Sequence, residues 1–348
     1  MDGGQHASED NGPGLPPIEI ECEECVAIIV GIDEAGLGPV LGPLVVSAAA
    51  ISLPEELADS SMWELLAGAV TRKAGRRHDG AIAIDDSKKL YSSRKAGGVA
   101  ALERGVLAML SAGGVGARSF RQLLEAVAPQ AVKPLERYPW YSGRDQSLPM
   151  AAGATDIALA SNAVRAAMSA RGMSLVGMRS EVILAGQFNR LIEATRNKAT
   201  ATFGVTCRLV ARAFRQTARH RVLVCVDQQG GRRHYLPALQ RAFDGASFKV
   251  LEETDTLSCY VVGHNGREAR ILFSVGAEKH HLPVALASML SKYLRELFMK
   301  VFNAFWAGYI PELRPTAGYY TDGRRFYQEI QPAIQRLGVD RDLIYRSR

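Results

Sequence analysis

Cysteine and aromatic side chains are both scarce in this chain of 348 residues. Aromatic residues make up 7% of the sequence, and the cysteines number five, at positions 22, 25, 207, 225 and 259. An odd count without a signal-peptide pattern argues against a disulfide framework, so we expect a reducing cytoplasmic environment. Cys22 and Cys25 have the spacing of half a zinc site, but no second close pair of Cys or His completes it.

Long apolar runs are also missing. No uncharged apolar segment is long enough to cross a bilayer, which excludes a membrane-spanning protein, and the 47% hydrophobic content is ample for a buried core. Lys and Arg number 42 against 36 Asp and Glu, a formal charge of +6. Because the first 25 residues are acidic, the remainder is more basic than this total. The balance favours polyanionic partners such as nucleic acid.

Two adjacent carboxylates, Asp33 and Glu34, stand between an apolar run and a glycine-rich turn. The runs at 26–30 and 44–51 predict a β-hairpin. Neighbouring residues of a strand point to opposite faces, so the two acids share one ion only if the backbone leaves the ladder between them, which Ala35-Gly36 permits. Glycine at 36 and 38 lets a ligand approach main-chain N–H groups.

Two further acids extend this set. Asp227 ends a buried strand predicted at 221–227, and Glu296 lies on a helix predicted from Pro283 to about Phe305. Ser288, Lys292, Glu296 and Lys300 follow each other at intervals of four on one polar stripe. A solvated face with ordinary ion pairs is the alternative interpretation of that stripe. Carboxylates suit Mg²⁺ or Mn²⁺, and their mutual repulsion predicts raised pKa values until a cation binds.

The string from Gly31 to Val46 resembles the signature of type 2 ribonucleases H, the ribonuclease HII and HIII group. That family has Asp-Glu-Ala-Gly-Arg-Gly-Pro followed by Gly-Pro and a β-branched strand, and this chain departs from it at Leu37. The segment 86–90, Asp-Ser-Lys-Lys-Leu, is similar to a second family motif. The segment 318–321 resembles Gly-Tyr-Pro-Thr with Tyr320 in place of proline, and 345–348 resembles the family's terminal His-Arg-Arg-Ser.

The resemblance implies an α/β fold, a ribonuclease H-like mixed sheet flanked by helices with an insertion and a short C-terminal helical segment. It also implies a metal-dependent endoribonuclease that cuts the RNA of RNA–DNA hybrids, leaving 3′-hydroxyl and 5′-phosphate ends, with ribonucleotides embedded in DNA as a further candidate substrate. The implied cofactor is Mg²⁺ or Mn²⁺ in a two-metal mechanism. The implied catalytic and metal-binding residues are Asp33, Glu34, Asp227 and Glu296. The implied substrate-binding residues are Gly36, Leu37, Gly38, Ser87, Lys88, Lys292 and Tyr319.

The chain divides into three parts. Residues 1–25, rich in Gly, Pro and acid, are expected to form a disordered tail, and 26–310 the catalytic domain. Residues 111–173 are an insertion, helical from Ala158 to Arg171, and 311–348 form a substrate-binding segment. The Tyr and Trp side chains of 138–141 either stack on bases or pack the insertion onto the core, and packing is favoured. We expect a monomer.

Two alternatives remain open. The change to glutamate at position 296, Leu37 and the insertion leave room for a nucleic-acid-binding protein of the same fold that has lost hydrolysis. The second alternative is a nuclease that acts on a different substrate, such as DNA. A metal-dependent cleavage assay separates these readings, because the architecture by itself hosts many functions.

Overall fold

One seven-stranded sheet is the centre of the molecule, with its strands in the order β5-β2-β1-β6-β9-β8-β7. The computed structural model describes residues 26–73, 80–92, 98–216, 221–229 and 231–347. The predicted tail at 1–25, Cys22, Cys25 and Arg348 therefore lie outside the described residues. The strands are β1 Val26–Ala35, β2 Leu44–Pro54, β3 Val70–Thr71, β4 Ile82–Ala83, β5 Ser174–Ile183, β6 Arg221–Asp227, β7 Ser247–Glu253, β8 Leu257–His264 and β9 Arg267–Ser274.

The sheet is mixed. β1 and β2 form the predicted antiparallel hairpin, and β5 pairs antiparallel with β2. β6 runs parallel to β1 and β9 runs parallel to β6, while β8 and β7 complete the sheet in antiparallel order. The short strands β3 and β4 pair with each other apart from it. The predicted α/β class, with a mixed sheet flanked by helices, is confirmed.

Helices cover both faces of the sheet. They are α1 Met62–Leu65, α2 Ser87–Leu90, α3 Ala100–Ala112, α4 Phe120–Val127, α5 Pro129–Val132, α6 Ala154–Ser169, α7 Ala185–Thr195, α8 Lys198–Gln216, α9 Leu236–Ala242, α10 Leu282–Ala307, α11 Tyr320–Glu329, α12 Gln331–Leu337 and α13 Arg341–Ile344. No helix within the described ranges is long and apolar enough to span a membrane. α10 matches the predicted helix closely.

Strand alternation divides the core between the two faces. In β1, Ile29 belongs to the apolar cluster that includes α3, α6 and α10, whereas Ile28 and Val30 belong to the cluster beneath α8 and α9. This period of two is what a strand buried on both sides requires. Residues 33 and 34, which continue the alternation, are therefore directed to opposite faces.

The insertion packs onto α10. Trp140 is 2% exposed, and its ring centroid lies 5.5 Å from that of Phe302 and 5.8 Å from that of Trp306. Tyr138 and Tyr141 are buried as well, so these rings present no open face for a base. Packing onto the core, the favoured interpretation, agrees with this burial.

A buried carboxylate holds a later part of the insertion, residues 150–152, against the core. Glu103 of α3 accepts hydrogen bonds from the main-chain N–H groups of Met150, Ala151 and Ala152, at 2.7 to 2.8 Å, and from the Tyr293 hydroxyl at 2.7 Å. Four donors on one carboxylate satisfy the buried charge.

α10 lies directly on β1 at a glycine. A Cβ atom added at Gly31 would overlap the backbone of Pro283 and Val284 at the start of the helix. The missing side chain therefore sets how closely the helix approaches the strand, two residues before Asp33.

Gly31→Ala should lower the free energy of unfolding by about 3 kcal/mol or more, because the helix backbone must move away from the sheet. Urea denaturation followed by circular dichroism measures this. Gly204→Ala is the matched control, since a Cβ there meets nothing within 4 Å and Gly204 is an exposed residue inside α8. The control should be neutral or stabilising by up to about 1 kcal/mol. Equal stability of the two variants would contradict the close approach.

Candidate active site

Two predicted acids meet at the carboxyl ends of neighbouring parallel strands. The register pairs Ile32 of β1 with Val226 of β6. The next residue of each strand, Asp33 and Asp227, therefore stands at the same level of the sheet. In-register residues of parallel strands point to the same side. The negative charge of Asp227 contributes to raising the pKa of Asp33, which shows that the two carboxylates are close.

Serines of α10 surround Asp33. The Ser288 side chain hydrogen-bonds the Asp33 carboxylate, and Ser291 Oγ donates to the Asp33 carbonyl at 3.0 Å. Burial is the main cause of the raised pKa of Asp33, and the charge of Glu34 adds to it, while the bond from Ser288 opposes the shift. The helix thus closes one side of the carboxylate.

Glu34 lies on the other face of β1. The ladder continues through Glu34, opposite Val46, to Ala35, so the backbone does not leave it between the two acids, which was the condition for their sharing one ion. The turn begins only at Gly36. On this face Gln229 Nε2 donates to Glu34 Oε2 at 2.9 Å. Burial raises the pKa of Glu34, the bond from Gln229 opposes this, and the charge of Asp227 adds to it.

A further acid, Glu278, was not identified from the sequence. Burial raises the pKa of Asp227 and the charge of Glu278 raises it further, against a hydrogen bond from Ala277 N–H at 3.1 Å. Glu278 follows β9, which pairs with β6 so that Ser274 lies opposite Asp227. The available signal was a short apolar run, 271–273, followed within a few residues by an acid, as at Asp227. Its significance depends on β9 being the neighbour of β6, which the local pattern does not reveal.

Glu296 lies away from these acids. Tyr91 Oη donates to Glu296 Oε2 at 2.7 Å, and Lys292 Nζ contacts Oε1 at 2.6 Å. Glu296 is eight residues beyond Ser288, which corresponds to about 12 Å along the helix axis. The expectation that it joins Asp33, Glu34 and Asp227 in one cluster is therefore not met, because residues on one stripe of a helix are spread along its axis. Lys292 belongs to the Glu296 group.

The segment 86–90 lies close to the acids. Asp86 caps α2 by accepting from Lys88 N–H at 2.9 Å. Ser87 Oγ lies 3.0 Å from Ser288 Oγ, within hydrogen-bond distance, which places Ser87 beside the serine that contacts Asp33. The Lys88 cation lowers the pKa values of both Glu34 and Asp227 against the burial effect. Lys88 therefore faces the carboxylates.

The glycine-rich loop is anchored to the protein on one side and exposed to solvent on the other. Gly36 has φ +91°, and a Cβ there would lie 2.5 Å from the Pro43 carbonyl oxygen, whereas Gly38 is exposed with nothing within 4 Å of an added Cβ. Arg346 donates to the carbonyls of Gly36 and Leu37. The loop is thus anchored through its carbonyls and presents Gly38 to solvent.

Tyr319 stands beside this loop. Val40 N–H donates to the Gly318 carbonyl at 2.8 Å, and the Tyr319 side chain is 55% exposed. A groove of about 620 Å³, lined by Tyr91, runs along α10 past Glu296, Lys300 and the insertion residue Met150.

The acids suit a hard cation in chemistry, since Asp33, Glu34, Asp227 and Glu278 supply carboxylate oxygens. Neighbouring acids raise the pKa values of Asp33, Glu34 and Asp227, and hydrogen bonds from Ser288, Gln229 and Ala277, together with the charge of Lys88, oppose this. Among the residues that the structure describes, no three His, Cys, Asp or Glu side chains form a ready-made metal site. The directions of Asp33 and Glu34 on opposite faces of β1 account for this.

Comparison with known proteins gave structural matches alone. No protein-family model matches the chain, and no curated protein matches its sequence. Similar solved structures include Bst-RNase HIII in complex with Mn²⁺, at 14% identity and TM-score 0.44, covering 98% of this chain and 72% of that one. Ribonuclease H2 from Pyrococcus horikoshii OT3 matches at 13% identity and TM-score 0.43, covering 91% of this chain and 92% of that one. The PCNA:RNase HII complex from Archaeoglobus fulgidus matches at 15% identity and TM-score 0.42, with coverage of 92% and 94%. Overlaps this loose say nothing about activity.

The raised pKa values predict how stability depends on pH. A carboxyl whose pKa is raised in the folded state stabilises the fold below its unfolded pKa, and this contribution is lost as pH rises through the folded value. In the presence of a chelator, the free energy of unfolding should therefore fall from about pH 4 upward.

Asp33→Asn should reduce the fall in the free energy of unfolding with rising pH. It should stabilise the metal-free protein at neutral pH by about 1 kcal/mol or more. Thermal melts across pH 4 to 8 with chelator measure the difference. Glu193→Gln, at an exposed position of α7, is the control and should follow the wild-type pH profile. An Asp33→Asn profile that coincides with wild type would contradict the proposed repulsion.

Proposed function

We propose that this chain is a divergent ribonuclease of the HII and HIII type, a metal-dependent endonuclease that hydrolyses the RNA strand of RNA–DNA hybrids. The observation that carries this is the position of Asp33 and Asp227 at the same level of adjacent parallel strands. The charge of Glu34 raises the pKa of Asp33, and the charge of Glu278 raises the pKa of Asp227. The order of motifs along the sequence supports the same conclusion. The products would be a 3′-hydroxyl and a 5′-phosphate.

Asp33 and Asp227 would hold one Mg²⁺ or Mn²⁺ with Glu278, and Glu34, whose side chain is directed to the opposite face of β1, would hold a second. When bound, the metal would stabilise negative charge on the attacking and leaving oxygens of the phosphodiester. The chain's own residues orient this set. Ser288 and Gln229 hold Asp33 and Glu34 through hydrogen bonds, and Ala277 N–H holds Asp227. Fixed partners of this kind keep ligands in place.

Substrate recognition is proposed for the loop and the tyrosine beside it. The exposed main chain at Gly38, next to Gly36 and Leu37, would meet the 2′-hydroxyl that distinguishes RNA from DNA. Tyr319 would stack near the scissile ribose. Lys88, already facing the acids, would meet a phosphate oxygen, with Ser87 positioning the start of α2.

Cleavage of a labelled RNA–DNA hybrid tests the proposal. Asp33→Asn and Asp227→Asn should each reduce metal-dependent cleavage at least about 100-fold, because each removes an anionic oxygen from the metal site. Retained hybrid binding with no cleavage by wild type in Mg²⁺ or Mn²⁺ would favour the nucleic-acid-binding alternative. Cleavage of a DNA-only duplex at the same rate would favour a nuclease of different substrate.

The two glutamates give a sharper comparison. Glu278→Gln should reduce cleavage about 10- to 100-fold at limiting metal and recover partly at high metal, as weakened metal affinity predicts. Glu296→Gln changes a group about 12 Å beyond Ser288 along α10. This variant should lose less cleavage activity than Glu278→Gln, and high metal should not restore that activity. The reverse order would return Glu296 to the metal site and remove Glu278 from it.

Leu37 bears on the choice of substrate. The family motif has an arginine at this position, so the native chain lacks a charged donor beside the 2′-hydroxyl. Leu37→Arg should raise incision at a single ribonucleotide in DNA relative to hybrid cleavage, measured with the two substrates in one reaction. Leu37→Met is the matched control and should leave the ratio unchanged. An unchanged ratio in the arginine variant would contradict this role of the loop.

A further inference from the structure

The last described residues of the chain, 345–347, pack along the glycine-rich loop. Tyr345 pairs with Leu41 in an isolated antiparallel bridge. Arg346 N–H donates to the Val40 carbonyl at 2.8 Å. The end of the chain is thus fixed beside a loop that lies near its start.

Asn189 of α7 fixes the main chain on both sides of Arg346. Its Nδ2 donates to the Tyr345 carbonyl at 2.9 Å, and its Oδ1 accepts from Ser347 N–H at 2.7 Å. The Arg346 guanidinium lies over the ring of Phe188, 3.8 Å from the centroid, and the residue is 1% exposed. Main chain and side chain of Arg346 are therefore both held in one arrangement.

The guanidinium of Arg346 bonds two consecutive carbonyl groups of the loop. Nη1 donates to the Gly36 carbonyl, and Nη2 donates to the Leu37 carbonyl at 3.3 Å. Both peptides are trans, so each C=O group and the N–H group that follows it point in opposite directions. The N–H groups of Leu37 and Gly38 are therefore directed away from Arg346. Neither of them donates to another described residue.

These two N–H groups are the donors that the loop offers to a ligand. Leu37 and the glycines beside it have no polar side chain, and Pro39 has no N–H. Gly38 is exposed. Burial lowers the pKa of Arg346 to about 9, so the guanidinium stays charged at neutral pH. A cation bonded to the two carbonyls polarises both peptide groups and makes their N–H groups stronger donors.

The loop also lies next to the acids. Gly36 follows Glu34 by two residues, which span at most about 7 Å. A ribose held at Leu37 and Gly38 is therefore beside the proposed metal site, and donors at this place can read the sugar whose phosphodiester is cut.

We propose that Arg346 is a positioning residue for ribose recognition, which aims the N–H groups of Leu37 and Gly38 at the 2′-hydroxyl oxygen of the RNA strand. This inference rests on the proposed ribonuclease function and assigns part of its specificity for RNA to the end of the chain. Arg346 does not touch the substrate, because its guanidinium is buried behind the loop. A deoxyribose has no oxygen to accept the two bonds and loses this interaction.

Binding of two hybrids to the full-length chain tests this role. One hybrid contains ordinary RNA, and the other has 2′-fluoro groups in place of the hydroxyls, which keep the A-form shape but accept hydrogen bonds poorly. A chelator prevents metal-dependent cleavage, and fluorescence anisotropy gives the two dissociation constants. The wild type should bind the ordinary hybrid at least about fivefold more tightly, as expected for two hydrogen bonds. A wild type without this preference overturns the proposal.

Variants assign the preference to Arg346. In Arg346→Met the two dissociation constants should agree within about twofold, since the N–H groups lose their fixed direction. Arg346→Lys keeps a charged donor and should restore part of the preference. Arg171→Met removes the same charge at an exposed position beyond α6 and should keep the wild-type ratio. A wild-type ratio in Arg346→Met, even with weaker binding overall, would show that Arg346 is only a structural anchor and overturns the proposal.

A measurement without nucleic acid covers the case in which Arg346→Met binds neither hybrid. Amide nitrogen relaxation, measured by NMR, should give order parameters of about 0.85 for Leu37 and Gly38 in the wild type and below about 0.6 in Arg346→Met. Unchanged order parameters would overturn the proposal. The nuclease proposal fails separately, through absence of metal-dependent cleavage by the wild type. A wild type that cuts neither strand but prefers the 2′-hydroxyl would still support the role of Arg346.

Discussion

The contact between α10 and β1 at Gly31 determines the geometry of the candidate active site. Because Gly31 has no side chain, the backbone at Pro283 rests on the strand, and the helix then runs close enough for Ser288 and Ser291 to hydrogen-bond Asp33. A side chain at position 31 would raise the helix and open the space around that carboxylate. The acid lies only two residues further along β1, so the packing of the core and the placement of the site are one constraint.

Parallel pairing supplies the second constraint. β1, β6 and β9 lie side by side, and each is followed by an acid at the same end of the sheet, although the three segments are far apart in sequence. Ligands of open α/β sheets commonly bind outside the carboxyl ends of parallel strands. Here the same arrangement concentrates negative charge, which hydrogen bonds from Ser288, Gln229 and Ala277 only partly offset. The position therefore favours a cation over a protonated carboxyl group at neutral pH.

Local patterns predicted the hairpin, the bounds of α10 and Asp227 at the end of its strand, because each depends on neighbours within a few residues. Local patterns could not decide whether Glu278 or Glu296 lies closer to Asp33. The position of Glu278 depends on which strand adjoins β6, and that of Glu296 depends on where along α10 the helix meets the sheet. The polar stripe on α10 also did not predict how much of that helix is buried. The insertion covers that helix through Trp140, so far more of α10 is buried than its sequence pattern suggests.

Buried charge in this fold is of two kinds, and the difference separates structural from functional groups. Glu103 receives four hydrogen bonds, so its charge is satisfied by the chain itself. The acids at the strand ends are instead placed beside charges of their own sign. Like charges held together in a partly buried place cost stability, and a structural role does not require them. A cation would remove that cost, and for this reason we propose the acids at the strand ends, and not Glu103, as the place where a ligand binds.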